Sequence, residues 1–422
     1  MATLFNHLEA PDRLASLPLL SAPGRPTGDL GPVLGIDIFH QTVPLDPWRL
    51  KEQRGIKAPS FVILGELDHG KTTFNLTWMQ RLMLLSGRDN RPLRIVVEDS
   101  KLNDGQAEYG PVVQEKFGAQ QLEMINARLN IFDPEMRMTT TQKLRVVESI
   151  LEHLRERPIE DRERAVLTAG LRRLEQLPPK HQTPQGLMRL INDPTQIVPT
   201  MPDGTPIRVS RRDYEEAAEL MVHGLGQLYG GRFGYMFGGE QSLADYLQQP
   251  VVSLDYSNID ERQLSLLLAL IFMWRAFASE NKDERFRTDV LFADENHEMW
   301  KYPAYARAMH HMLKILRASG VAVVLNSHRI NDYRTTESPL AMNALSDIGG
   351  WFIGRQEHRD AIDTVEFLRL PKGMVETITS LKVGNFVFAV PGRSHTVFKL
   401  LVSEEDLALS NTNAATERML GA

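Results

Sequence analysis

Phe61-Val62-Ile63-Leu64-Gly65-Glu66-Leu67-Asp68-His69-Gly70-Lys71-Thr72-Thr73 decides the fold. An apolar run reads as a buried strand, and Gly65 to Thr73 fits the phosphate-binding (Walker A) pattern G-x-x-x-x-G-K-[ST]. Phe74 to Leu85 then has helical character. Glycines let backbone N–H groups curl around phosphate oxygens. Lys71 is placed to reach the β- and γ-phosphates, the Thr72 hydroxyl to take a position on Mg²⁺. The helix after the loop points its positive end at the anion.

Working outward, strand and helix alternate. Leu93 to Val97 reads as a second strand and Gln106 to Phe117 as a helix, with Ile131-Phe132-Asp133-Pro134 closing the unit. That alternation predicts a parallel sheet flanked by helices. From Met138 to about Tyr229 the pattern is helical: Thr139 to Gln142 can cap a helix to Glu156, and Asp161–Leu177 and Arg212–Tyr229 follow. Pro194 to Pro206 between them reads as an exposed loop or hairpin. Strand signals return at Val251–Leu254, Val290–Ala293, Val321–Leu325 and Trp351–Ile353, and Asn385 to Leu401 reads as an antiparallel pair around Pro391-Gly392.

The expected fold is therefore an α/β P-loop domain with a mostly parallel sheet, interrupted by an all-α insertion. Residues 59–137 and 232–405 form its two parts and residues 138–231 a helical lid. Residues 1–58 read as an arm or small cap, and residues 406–422 as a tail.

Val290 to Ala293 ends in Asp294-Glu295. In a nucleoside-triphosphatase Asp294 would hold Mg²⁺ opposite Thr72, and Glu295 would polarise the attacking water. The strand Val321 to Leu325 ends in Asn326-Ser327-His328-Arg329, which places His328 to sense the γ-phosphate. A guanine-reading N-K-x-D motif is missing: the nearest stretch, Asn281-Lys282-Asp283-Glu284, carries Glu in fourth place.

The 422 residues, 42% hydrophobic and 24% charged, are those of a globular protein. A net charge of -6 gives no global basic field for nucleic acid, and Cys 0 excludes disulfides and thiolate metal sites. Leu264 to Trp274, the longest mostly apolar stretch, is too short to span a bilayer and reads as a core helix. No secretory signal is visible, and the expected location is cytoplasmic.

The order of Gly65–Thr73, Asp294-Glu295 and Ser327-His328-Arg329 resembles the HerA/FtsK-like motor ATPases. It is most similar to the conjugation-type ATPases of type IV secretion systems, particularly forms from actinobacterial mobile elements. Val96-Val97-Glu98-Asp99-Ser100-Lys101 with Glu108-Tyr109 looks like their strand-D-x-K…E-Y segment, and Asn130 to Pro134 like their N-x-x-D-P element. Gly231 to Gly239 followed by Val252-Ser253-Leu254-Asp255, and Asp46-Pro47-Trp48, agree as well. The resemblance spans roughly Asp46 to Leu400. Asp68-His69 stands where the family has small residues, and His328 where it has Gln.

The resemblance implies a Mg²⁺-dependent ATPase working as an oligomeric ring, moving DNA or protein at a membrane-associated secretion or conjugation complex, peripheral at the inner face of the membrane. It also implies an arginine supplied across a subunit interface. Arg355 is the first candidate, followed by Arg359 and Arg329. Two alternatives are a double-stranded DNA pump and an ATP-binding scaffold with little hydrolysis.

Overall fold

Strand β3 (Ser60–Leu64) is buried along its whole length, and its side chains part between two cores. Val62 and Leu64 enter one core, Phe61 and Ile63 the other, as the two-residue period of a strand requires. A sheet covered on both faces needs apolar strands throughout. β4 (Leu93–Asp99) and β10 (Val321–Ser327) are buried along their whole length and apolar through Ile95–Val97 and Val321–Leu325, with polar residues towards their ends.

The computed structural model describes residues 31–407, except 89–91, 100–101, 104–105, 156, 194–209, 231–233, 238–241, 248, 261–262, 265, 269, 272, 274–287, 320, 335–338 and 405. The readings made for residues 1–30, Pro194–Pro206, Asn281–Glu284 and the tail beyond 407 lie outside the described residues, as does part of Gly231–Gly239.

The other strands are β1 (Val33–Asp37), β2 (Thr42–Pro44), β5 (Leu102–Asn103), β6 (Gln106–Ala107), β7 (Gln120–Glu123), β8 (Val251–Asp255), β9 (Thr288–Ala293), β11 (Gly350–Ile353), β12 (Asn385–Val390) and β13 (Ser394–Leu400). Eleven of the strands form one sheet in the order β2-β1-β13-β12-β11-β3-β10-β9-β4-β8-β7. From β11 to β7 every pairing is parallel. From β11 to β2 every pairing is antiparallel. The fold class expected from the sequence holds.

Two local readings change. The helix expected over Gln106–Phe117 begins only at Gly110, because Gln106–Ala107 pairs with β5 and the Asp99 carboxylate accepts the Tyr109 N–H at 2.6 Å. Pro111 suits the first helical turn and no later one. The stretch read as an arm or cap adds β1 and β2 to the sheet through β13, a pairing of the two chain ends with no local signal. β7, polar and unpatterned, forms the far edge of the sheet.

Between the adjacent strands β7 and β8 run the helices Thr140–Arg155, Asp161–Leu174, Pro184–Asn192 and Arg211–Gly230. The third, with Thr183 capping the Gly186 N–H and Pro184 in its first turn, escaped the sequence reading. Val147, Leu151, Leu171, Ile191 and Leu225 of these helices belong to the same core as Val62 and Leu64 of β3. On the opposite face the helix Lys71–Arg88 packs an aromatic layer onto the sheet: the Phe61 and Trp78 rings lie 5.1 Å apart, Phe74 and Phe352 4.7 Å. Leu264, Leu267, Leu270 and Ile271 are buried, as expected of a core helix.

Candidate functional site

Parallel strands β9, β10, β3 and β11 end together, so Asp294-Glu295, His328, the Gly65–Thr73 loop and Arg355 gather at one edge of the sheet. Ligands of open α/β sheets bind at this carboxyl edge. Left-handed backbone at Asp68 (φ 57°) and Gly70 (φ 94°) curls the loop. Aspartate tolerates that region better than most side chains, and glycine adopts it freely.

Lys71, nearly buried, holds the loop in its present form. Its ammonium donates to the carbonyls of Gly65 at 2.8 Å and Glu66 at 3.0 Å, and meets His328 Nδ1 at 3.2 Å. The loop's first residues are pinned to both neighbouring strand ends. The Gly65 N–H reaches the His328 carbonyl at 3.2 Å, and the Glu66 N–H the Arg355 carbonyl at 2.9 Å. Leu67, 62% exposed, forms the tip, and Thr73 sits half-buried in the first helical turn.

Thr72 Oγ1 donates to Glu108 Oε1 at 2.7 Å. Asp294, buried, accepts from Asn326 Nδ2 at 2.8 Å. Burial, with Glu108 and Glu295 as neighbouring acids, pushes its carboxyl up to about 6. A threonine hydroxyl facing crowded carboxylates is a site short of positive charge. It fits a divalent cation held by Thr72 and Asp294.

Glu295 takes left-handed backbone (φ 48°), which aims its carboxylate between two imidazoles. Its Oε1 lies 3.0 Å from His328 Nε2 and its Oε2 3.6 Å from His297 Nδ1. Burial alone would raise this carboxyl. The hydrogen bond from His328, with His297 and Lys71 nearby, outweighs it and holds Glu295 below its ordinary value.

His69 faces the other way. Its ring, 1% exposed, wedges against the start of β12 and the end of β11. Nε2 lies 2.9 Å from the Asn385 carbonyl and 3.1 Å from the Arg355 N–H, and the edge of Phe386 packs at 5.3 Å. A Cβ on Gly354 would stand 2.3 Å from His69 Cδ2, so glycine there makes the room. Burial drives the His69 pKa down, with Arg355 and Lys71 adding to it.

Of the candidate arginines, Arg355 donates through Nε to Glu66 Oε2 at 2.9 Å within its own chain. Arg329 is bound to Asp332 at 3.0 Å. Arg359 is exposed in the first turn of the helix His358–Leu368, with no ion pair among the described residues. Three site neighbours went unassigned in the sequence. His297, three residues past Asp294, was within reach of a local reading. Glu108, singled out only as part of the E-Y segment, and Gly354 were not, because only folding brings them to Thr72 and His69.

No family model and no curated protein matches this sequence. Solved structures do. VirB4 of Thermoanaerobacter pseudethanolicus superposes with a TM-score of 0.65 at 14% identity, covering 92% of this chain and 100% of that one. The bacterial conjugative coupling protein TrwBdeltaN70, in its unbound monoclinic form, gives 0.53 at 14% identity, covering 90% of each chain. The plasmid coupling protein TrwB in complex with the non-hydrolysable ATP analogue ADPNP gives 0.50 at 13% identity, covering 90% of this chain and 91% of that one. The fold is RecA-like. At such identities these likenesses establish the fold along nearly the whole chain, and the chemistry must be argued from the residues.

Proposed function

We propose that this protein is a Mg²⁺-dependent ATPase that acts as an oligomeric motor in conjugative, type IV secretion-like transfer. One observation carries the chemistry: Lys71, Thr72, Asp294 and a Glu295 held ionised by His328 converge on a single strand edge. Mg²⁺, when bound, would neutralise charge on the phosphates. The chain's own part is positional. The curled loop and Lys71 bind the β- and γ-phosphates, Thr72 and Asp294 hold the cation, and Asn326 fixes the Asp294 carboxylate. Glu295, an anion at neutral pH, accepts a proton from the attacking water.

The motor reading draws on the fold shared with VirB4 and TrwB, a conjugative coupling protein. No helix among the described residues is long and apolar enough to cross a membrane, which suits a protein docked at the inner face through partners. In a ring, Arg359 is better supported than Arg355 as the residue offered to a neighbour's γ-phosphate, since Arg355 is engaged by its own Glu66. A helical lid over residues 138–231 agrees with the helices found there, although their shared core ties them to the sheet. A scaffold with little hydrolysis is the weaker reading, since the His69 ring packs against β11 and β12 rather than into the phosphate cradle.

The test is phosphate release with Mg²⁺ by wild type, Lys71→Ala and Glu295→Gln. The motor reading expects turnover in wild type alone. ATP binding without turnover in all three would return the scaffold. Stimulation by double-stranded DNA, with an affinity that falls steeply with salt, would assign the cargo as DNA.

A further inference from the structure

We infer that ATP binding charges His328, so that the protein takes up a proton as the γ-phosphate arrives. This rests on the proposed ATP-binding function and deepens it. Lysine ammonium is only a donor, so the 3.2 Å contact with Lys71 makes His328 Nδ1 an acceptor. The neutral ring then carries its hydrogen on Nε2, facing Glu295 Oε1 at 3.0 Å. Without nucleotide, His328 is thus a neutral bridge between the loop lysine and the carboxylate that would act as base.

A triphosphate changes what Nδ1 faces. Lys71 keeps its two loop carbonyls and turns its third N–H from His328 to a phosphate oxygen. The Nδ1 lone pair is left pointing at an anion, a contact of two acceptors. An amide in this place, as in glutamine, could rotate to present N–H. An imidazole that must keep donating to Glu295 through Nε2 can donate through Nδ1 only by gaining a proton. Phosphate on one side and Glu295 on the other both favour the imidazolium, and histidine makes that change near neutral pH.

The other groups facing the ring do not remove the argument. His297 stands across the carboxylate with its ring 6.2 Å away. Gln356, neutral, approaches the His328 carbonyl. Arg329 is turned to Asp332, and Arg355 to Glu66. The proton comes from solvent and returns there when the site empties.

The experiment is calorimetric titration of the whole chain with a non-hydrolysable ATP analogue and with ADP, at about pH 7.5, in buffers of different ionisation enthalpy. Wild type should take up a substantial fraction of one proton with the analogue and clearly less with ADP. His328→Gln should lose that excess, and subtracting it from wild type cancels protons exchanged by the nucleotide and by Asp294. As pH rises, wild-type affinity for the analogue should fall by up to about tenfold per unit more than that of His328→Gln. Equal proton counts in wild type and His328→Gln would overturn the inference, as would an excess removed by His297→Gln instead. If His328→Gln fails to fold, equal uptake of protons with the analogue and with ADP by wild type overturns it. Absence of nucleotide binding by wild type would overturn the proposed function itself.

Discussion

Two histidines serve the loop, one on a neighbouring strand end and one within it, and their surroundings give them opposite properties. His328, at the end of β10, keeps 29% of its side chain exposed and sits between an ammonium and a carboxylate. His69, within the loop, is buried against β11 and β12 among neutral backbone groups and an aromatic edge. The first bridges the loop lysine and Glu295. The second is held neutral, because desolvation disfavours its cation. Under the proposed function the side of the loop towards Glu295 is the chemical side, and the side towards Gly354 the rigid one.

The largest effect should come from the chemical side. Glu295→Gln should lower phosphate release at least about a hundredfold while leaving the melting temperature nearly unchanged. A melting loss of many degrees would mean that Glu295 is also structural.

On the rigid side the pattern should reverse. Gly354→Ala drives a Cβ into the His69 ring and should destabilise the fold by about 2–3 kcal/mol in denaturant titrations. Combined with His69→Ala, much of that loss should return, because the clash and its target vanish together. Strict additivity of the two would show that the ring is not what Gly354 accommodates.

Asp294 tests the charge shortage between them. A carboxyl raised to about 6 when folded, against 3.8 ordinarily, carries a penalty that is fully present above pH 6 and relieved as pH falls through it. Asp294→Asn, measured in chelator at about pH 7, should therefore gain about 1–2 kcal/mol of stability while losing Mg²⁺-dependent turnover. A destabilised variant would argue that Asn326 gives back more than burial costs.

His69 carries the opposite sign. Its pKa lies below 6.5 when folded, so its contribution is complete above pH 6.5 and is lost as pH falls towards the folded value. His395 and His310 are depressed in the same direction. The comparison of wild type with His69→Gln isolates one residue, and should show a shallower acid loss in the variant. Parallel curves would mean that His69 stays hydrated.

The smallest effect belongs to Arg355. Its pair with Glu66 is 44% exposed on the arginine side, and Arg355→Ala should cost no more than about 1 kcal/mol of stability. Mixing inactive Lys71→Ala subunits with inactive Arg359→Ala subunits should partly restore turnover. Recovery with Arg355→Ala instead would transfer the interfacial role back to the strand end.

The sequence by itself determined the parts whose chemistry is written in contiguous residues. A strand, a glycine loop, Lys71-Thr72 and a helix must follow one another in the chain to cradle phosphate, so the pattern is local and legible. The same holds for an apolar strand ending in Asp294-Glu295, and for the helices Thr140–Arg155, Asp161–Leu174 and Arg211–Gly230 with their 3.6-residue period. Only the tertiary structure decided the partners. His69 and Arg355 are 286 positions apart, and Thr72 and Glu108 36. Nothing in the local sequence of Gly354 says that a histidine ring needs its missing Cβ. The pairing of β1 with β13 is likewise a meeting of chain ends, set by which sheet edge each could cover. Hydrogen bonds and close packing act over a few ångströms in space. Periodicity acts over a few residues in sequence, and where the two do not coincide only folding shows the contact.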